Sequence, residues 1–208
     1  MAKGITKDQI VAAALDVLDE QGIGGLTVRA LAARLDVRAP ALYWHMRDKQ
    51  EMLDEMGTVV HRRVAQALSE SSLGTGWRDG LSALAHALRS EYLLHRDGAR
   101  TFSAARLTDA EVLRAQEPVL AQLTAAGFDI AGAADALDLV TAFVVGFVVE
   151  EQKHRQSAEA GEARLSLDGL GETAPLVKAA EEARDRGDKR FERQLRILLE
   201  GIAAGLDG

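Results

Sequence analysis

The chain has 208 residues, 47% hydrophobic but only 4% aromatic, with no cysteine and a formal charge of −7. That composition excludes disulfide scaffolds, zinc–thiolate sites and thiol catalysis, and its apolar content is too high for a disordered chain. Lys3, Lys7, Asp8 and Asp16 interrupt the N-terminus too often for a signal peptide, so a cytoplasmic protein is expected. The most apolar stretch, Leu137 to Val149, contains Asp138 and is shorter than the ~20 residues of a membrane span, so it reads as a buried helix.

With three prolines and no run of strict apolar–polar alternation, the chain reads as all-α. Thr6 and Gln9 form a capping box, and Ile5 and Ile10 a hydrophobic staple, so a first helix starts near Lys7; Gly22 is expected to end it. Ile10, Ala13, Ala14, Val17 and Leu18 form its buried stripe. Thr27 is the expected N-cap of a short second helix, Val28 to Leu35, and Asp36-Val37 turns the chain into a third with Pro40 in its first turn. Asp48 followed by Glu51 caps a fourth helix through Met52, Met56, Val60 and Val64 to about Leu68. Ser71 to Gly76 is a compositional break. Further helices are expected near Trp77–His95, Gly98–Ala105, Asp109–Ala126, Ile130–His154, Ala174–Arg184 and Lys189–Leu206, with Gln156 to Gly171 as a mobile loop.

Helix, short helix, tight turn, short helix is the layout that lays its last element in a DNA major groove. Net acidity argues against a nucleic-acid partner, but residues 1–50 carry seven Lys and Arg against six Asp and Glu, so the negative excess lies in the remainder. The run LTVRALAARLDVRAPALYWHMRDKQEML, with LYWH at Leu42 to His45 followed by Asp48-Lys49, resembles the N-terminal domain of the TetR family of one-component repressors. HRDGAR at His95 to Arg100 and GFVVEEQKH at Gly146 to His154 extend the resemblance to the C-terminal domain of tetracycline repressors. It implies a helix-turn-helix DNA-binding domain (1–50), a helical ligand-binding and dimerisation domain (51–208), and a connecting helix over 49–68. A homodimer of ten-helix-type protomers is implied, acting on double-stranded DNA with a palindromic operator and released by a small-molecule inducer.

Residue by residue, Thr27 and Arg29 match positions that touch phosphate and a base, and Arg is the natural bidentate partner of guanine. Arg38, Ala39, Pro40, Ala41, Tyr43, Trp44 and His45 match the groove-facing segment, and Lys49 a phosphate contact. Ala39 and Ala41 stand where tetracycline repressors have polar residues, which leaves only apolar contact there. Tyr43 and Trp44 also fit as core aromatics of a small bundle, and Arg34 reads as a solvated charge.

In the effector part, the positions of the histidine, threonine and carboxylate that hold tetracycline–Mg²⁺ are Phe102, Ala105 and Glu150. Phenylalanine offers a hard cation no lone pair, so no metal or cofactor is expected and tetracycline–Mg²⁺ is not the expected inducer. Ala65, Leu84, Leu88 and Pro118 replace groups that hold the drug's polar edge, whereas Arg106 is kept. The expected site is Leu84, Leu88, Phe102, Arg106 and Glu150, apolar with few polar anchors, for an aromatic or polyketide-like ligand. Leu84, Leu88 and Phe102 read equally as core, Glu150 as a partner for a nearby Arg or Lys, and His86 and His95 as packed or hydrogen-bonded residues. Stripes at Leu137, Val140, Thr141, Val144, Val145 and Val148 and at Leu195, Ile197, Leu198, Ile202 and Ala203 are the expected four-helix dimer interface.

Two other classes compete. Glu151-x-x-His154 is one half of a di-iron site without a second copy, and His95-Arg96-Asp97 has no nucleotide-binding glycine loop beside it, so an enzyme is not expected. The remaining alternative is a DNA-binding dimer without small-molecule sensing.

Overall fold

The computed structural model describes residues 4–70, 74–162 and 173–205. These residues hold helices and no strands: α1 Lys7–Gly25, α2 Val28–Arg34, α3 Ala39–Leu42, α4 Lys49–Glu70, α5 Trp77–Leu94, α6 Gly98–Phe102, α7 Ala110–Arg114, α8 Glu117–Ala125, α9 Ile130–Glu159, α10 Pro175–Glu182 and α11 Gly187–Ala204. The all-α expectation is met. The differences lie at helix ends. The helix expected over 109–126 breaks at Ala115-Gln116, ahead of Pro118 at the start of α8, because proline has no N–H to continue a helical ladder. Ile130 begins a helix that runs on to Glu159, past the expected loop start at Gln156; residues 163–171 of that loop and Leu206 lie outside the described residues.

Backbone packing divides the chain into two compact units, Met1–Val149 and Glu150–Gly208. In the first, α4 is the hub and packs against α1, α5, α6 and α7. The division expected at residue 50 falls inside this unit, since α4 touches both the head helix α1 and the body helix α5.

The head is built from local rules. Thr6 caps α1: its hydroxyl accepts from the Gln9 N–H at 3.2 Å and the Gln9 side chain accepts from the Thr6 N–H at 3.0 Å. Such a cap contributes about 1 kcal/mol. Gly22 does not end α1 but kinks it, with φ +69. A Cβ there would lie 2.9 Å from the Asp97 carboxylate, which accepts from the Ile23 N–H at 3.1 Å, so glycine is required both for the backbone and for the approach. Thr27 caps α2 by accepting from the Ala30 N–H at 3.1 Å. The turn to α3 is closed by Val37 N–H to the Ala32 carbonyl at 2.9 Å, with Asp36 in the left-handed region at φ 52, a conformation its short polar side chain tolerates. Ile10, Ala14, Leu18, Leu31, Leu42, Met46 and Met52 are buried and form the head core. Arg34 is exposed, as expected of a solvated charge, and also donates to Glu20 at 2.7 Å and Asp16 at 3.2 Å, linking α2 to α1.

In α9, Ala133, Ala136, Val140, Val144 and Val148 are essentially inaccessible to solvent. Much of the stripe expected to meet a second copy is therefore consumed within the protomer. The outward apolar row is a different one, with Leu139 50% exposed and Ala142 and Gly146 at the following helical steps. Among the described residues α9 is the one helix long and apolar enough to cross a membrane, with mean hydropathy 1.8, and 39% of that stretch is buried. In the second unit, α11 buries Phe191, Leu195, Leu199 and Ile202 and leaves Ile197 exposed.

Candidate nucleic-acid interface and ligand cavity

The residues expected to face DNA are displayed on the head. Thr27 and Arg29 are exposed and border a shallow depression with Gln21 and Arg34. Thr27 Oγ1 accepts from the Ala30 N–H in the α2 cap, and its O–H remains available to donate. Arg38 precedes α3, and Arg38 and Pro40 are exposed while Ala39 and Ala41 are half-buried. Tyr43 is 56% and Trp44 88% exposed, which rules out the core reading for both. They leave the short α3 through a turn in which His45 and Met46 both donate to the Leu42 carbonyl at 3.0 Å; Leu42 and Met46 face inward, and His45 is half-buried. Lys49 opens α4 and shares a small crevice with Tyr43. The α4 N-terminus is capped by Asp48, accepting from the Glu51 N–H at 2.8 Å. Glu51 in turn accepts from the Arg47 N–H at 2.8 Å, and this bond holds its carboxyl below the usual value.

The second site is a cavity of about 270 Å³ in the body. From α4 come His61, Val64, Ala65 and Leu68, and from α5 Leu84 and Leu88. Leu107, Val112, Ala115, Gln116 and Leu120 close it between α6 and α8, and Ala134, Leu137, Asp138 and Thr141 of α9 complete the wall. Leu84 and Leu88 thus line the cavity as expected, whereas Phe102, Arg106 and Glu150 are not among its lining residues. Phe102 is fully buried with its ring centroid 5.5 Å from His95 and 6.3 Å from Tyr92, so it is core. Arg106 projects into solvent while its N–H donates to Asp54 at 2.9 Å, and Glu150 pairs with Arg190 at 2.8 Å. Pro118 is exposed, and His86 is exposed and bonded to the Ser82 carbonyl at 2.7 Å, neither of them on the cavity wall.

Sequence reasoning missed His61. It stands one helical turn before Ala65, so the three- and four-residue spacing of 61, 64, 65 and 68 was the signal that put them on one face. Its Nδ1–H donates to the Gly57 carbonyl at 2.8 Å, which leaves Nε2 as acceptor for the Tyr92 hydroxyl at 3.3 Å. Burial lowers the His61 pKa, partly opposed by the Gly57 bond, and pushes the Tyr92 hydroxyl up to about 12. The pair is accordingly neutral, and the cavity meets an uncharged ring.

A polar strap ties the cavity wall to α4. Leu107 lies between Arg106, whose N–H donates to buried Asp54, and Thr108, whose N–H donates to the Thr58 hydroxyl at 3.0 Å. Thr58 itself donates to the Asp54 carbonyl at 2.8 Å. Gly57 sits under the same strap, where a Cβ would come within 2.3 Å of the Ala105 Cβ. The same turn of α4 also holds α1, since Lys7 donates to Glu55 at 2.7 Å. His95, also buried, bonds Asp19 of α1 at 3.0 Å and Arg63 of α4 at 3.3 Å, giving the head a second attachment.

Residues 10–56 match the family "bacterial regulatory proteins, tetR family", and residues 71–206 match the family "tetracyclin repressor-like, C-terminal domain". The class A tetracycline repressor protein from transposon 1721 of Escherichia coli is 36% identical over 198 residues, 93% of this chain and 88% of the relative. The crystal structure of a possible TetR family transcriptional regulator from Streptomyces coelicolor A3(2) superimposes with a TM-score of 0.80 at 35% identity, covering 95% of this chain and 98% of that one. The Streptomyces coelicolor TetR family protein ActR in complex with (S)-DNPA does so with a TM-score of 0.77 at 26% identity, covering 98% and 99%. An exposed helix-turn-helix face, an apolar cavity and these two matched regions lead to one assignment: the chain belongs to the TetR family of DNA-binding transcriptional regulators, with a tetracycline-repressor-like C-terminal domain.

Proposed function

We propose that the protein is a homodimeric repressor that binds a palindromic operator in cytoplasmic DNA and releases it when a small apolar or aromatic molecule fills the α4–α9 cavity. The observation that carries the DNA half is Trp44, 88% exposed beside Tyr43 on a turn whose inward positions are already filled by Leu42 and Met46. An indole so exposed contributes nothing to the head core and is suited to apolar contact with base edges or sugars. Arg29 is the residue assigned to base readout, with Thr27 and Lys49 on phosphates. Arg38 supplies a further base or phosphate contact in place of the hydrogen bonds that Ala39 and Ala41 cannot make. Residues 1–50 act as the reading head, 51–208 as sensor and dimerisation body, and α4 as the lever between them.

The inducer is not tetracycline–Mg²⁺ in this reading. Phe102 has no lone pair for a cation and is packed in the core, and Ala105 has no side-chain oxygen. The likeness to ActR, which holds (S)-DNPA, supports small-molecule sensing in a protein of this fold. Ligand in the cavity presses on Leu107; because Arg106 and Thr108 are bonded to α4, the strap transmits that displacement to α4 and through Lys7–Glu55 to the head. The two reading heads of a dimer must lie about one DNA turn apart, ~34 Å, so a tilt of α4 breaks their spacing. In the first unit the outward row of α9 (Leu139, Ala142, Gly146) is offered to the second copy.

Selection of bound sequences from a random duplex pool at near-physiological salt tests the reading, because phosphate-only binding is suppressed there. Enrichment of a palindrome that Arg29→Ala binds weakly supports it. Absence of any enriched motif with a folded dimer overturns it.

A further inference from the structure

Among the described residues the cavity wall carries one formal charge, and it is negative. Asp138 of α9 lines the cavity from an exposed position, so its carboxylate stands where the cavity meets solvent, and it has no hydrogen-bond or ion-pair partner among the described residues. Among the described residues no Lys or Arg lines the wall. The other polar groups add acceptors rather than positive charge. Thr141 donates its hydroxyl proton to the Leu137 carbonyl at 2.9 Å, which leaves oxygen lone pairs. His61 has both ring nitrogens engaged, by Gly57 and Tyr92, and burial keeps it uncharged. Gln116 can turn either end of its amide inward. Leu84, Leu88, Val112, Leu120 and Leu137 supply the apolar remainder.

From this complementarity we infer that the inducer is an amphipathic cation: a compact apolar or aromatic body bearing a protonated amine that docks on Asp138. This rests on the reading of the cavity as the sensor site and adds the charge of the ligand. A carboxylate-bearing molecule would meet a like charge and no cationic partner, whereas an ammonium group gains a charge-assisted hydrogen bond to Asp138 and an acceptor from Thr141. The apolar body covers the leucines, and the site orients the molecule by its single charged end.

Three probes that share a naphthalene body separate the effects: 1-naphthylmethylamine, 1-naphthylmethanol and 1-naphthoate, titrated calorimetrically into the full chain, Asp138→Asn and Leu84→Trp. A charge-assisted hydrogen bond outweighs a neutral one even when partly exposed to solvent, so the amine should bind about tenfold more tightly than the alcohol. The carboxylate should bind weakest. In Asp138→Asn, an exposed position whose change leaves the core intact, the preference for the amine should vanish while the alcohol keeps its affinity. In Leu84→Trp the indole fills the cavity and all three should be lost. If the alcohol or the carboxylate binds the parent chain as tightly as the amine, or Asp138→Asn keeps the preference, the charge assignment is wrong while the cavity remains the sensor. If the amine still binds Leu84→Trp, its binding is to the acidic surface and the proposal falls. If no probe binds the parent chain at millimolar concentration, the sensor reading fails and takes the proposal with it.

Discussion

The helix-turn-helix head and the body cavity are built on opposite plans. The head displays its working side chains outward from one stretch of chain, Thr27 to Lys49, on a scaffold held by caps and a small core. The cavity turns its side chains inward from positions spread over Ala134 to Thr141 on α9, two leucines on α5, one face of α4 and the loops about α7. A surface formed by contiguous residues tolerates substitution without loss of fold. A cavity formed by distant residues shares its walls with the core, so function and stability are entangled there. Phe102 and Leu84 illustrate the second case: both are buried and apolar, yet one is pure packing and the other faces the void.

That contrast is open to experiment. Phe102→Ala removes a fully buried aromatic and should cost about 3–5 kcal/mol of stability, read by denaturant unfolding, whereas Leu84→Ala should cost about 2 kcal/mol, since its side chain already borders empty space. Equal losses would erase the distinction between core and cavity wall. Arg29→Ala should weaken operator affinity by about 1–3 kcal/mol, read by fluorescence anisotropy on the selected duplex, with an unchanged melting temperature. A drop in melting temperature would make Arg29 a structural residue. At the strap between the two regions, Asp54→Ala strands the Arg106 N–H and should cost about 1–3 kcal/mol in unfolding while blunting ligand-induced DNA release more than ligand binding itself. Equal loss of binding and release would show that the strap shapes the cavity and does not transmit.

The smallest effect is in the pH dependence. Burial depresses the His61 pKa below its ordinary 6.5, so the unfolded state binds the proton first. Stability should therefore decline as pH falls below 6.5 and level off once pH passes the folded-state value. In His61→Gln the decline between pH 7 and 5 should be shallower, read as the difference in unfolding midpoints. An identical slope would mean that His61 gains no proton on unfolding.

The head was readable because its signals are local. A capping box, a threonine cap and the aspartate turn act over three or four residues, so α1 to α4 emerge at their expected starts. Gly22 shows where local rules stop: it is a break signal taken alone, but Asp97 arrives across 74 positions to accept from the Ile23 N–H and α1 continues through a kink. The valine stripe of α9 was legible as apolar, but not its destination, since hydrophobicity sets that a face is buried and not by what. Asp138 was visible only as an interruption in that stripe.

Composition and local spacing by themselves determined the all-α class and the helix-turn-helix order, because caps, turns and helical periodicity operate within a few residues. Tertiary structure alone decided that Phe102 is core, that His61 and Asp138 belong to one cavity, and that Arg106 and Thr108 fasten its wall to α4. Those relations join residues tens of positions apart, and chain packing is what brings them within reach of one another.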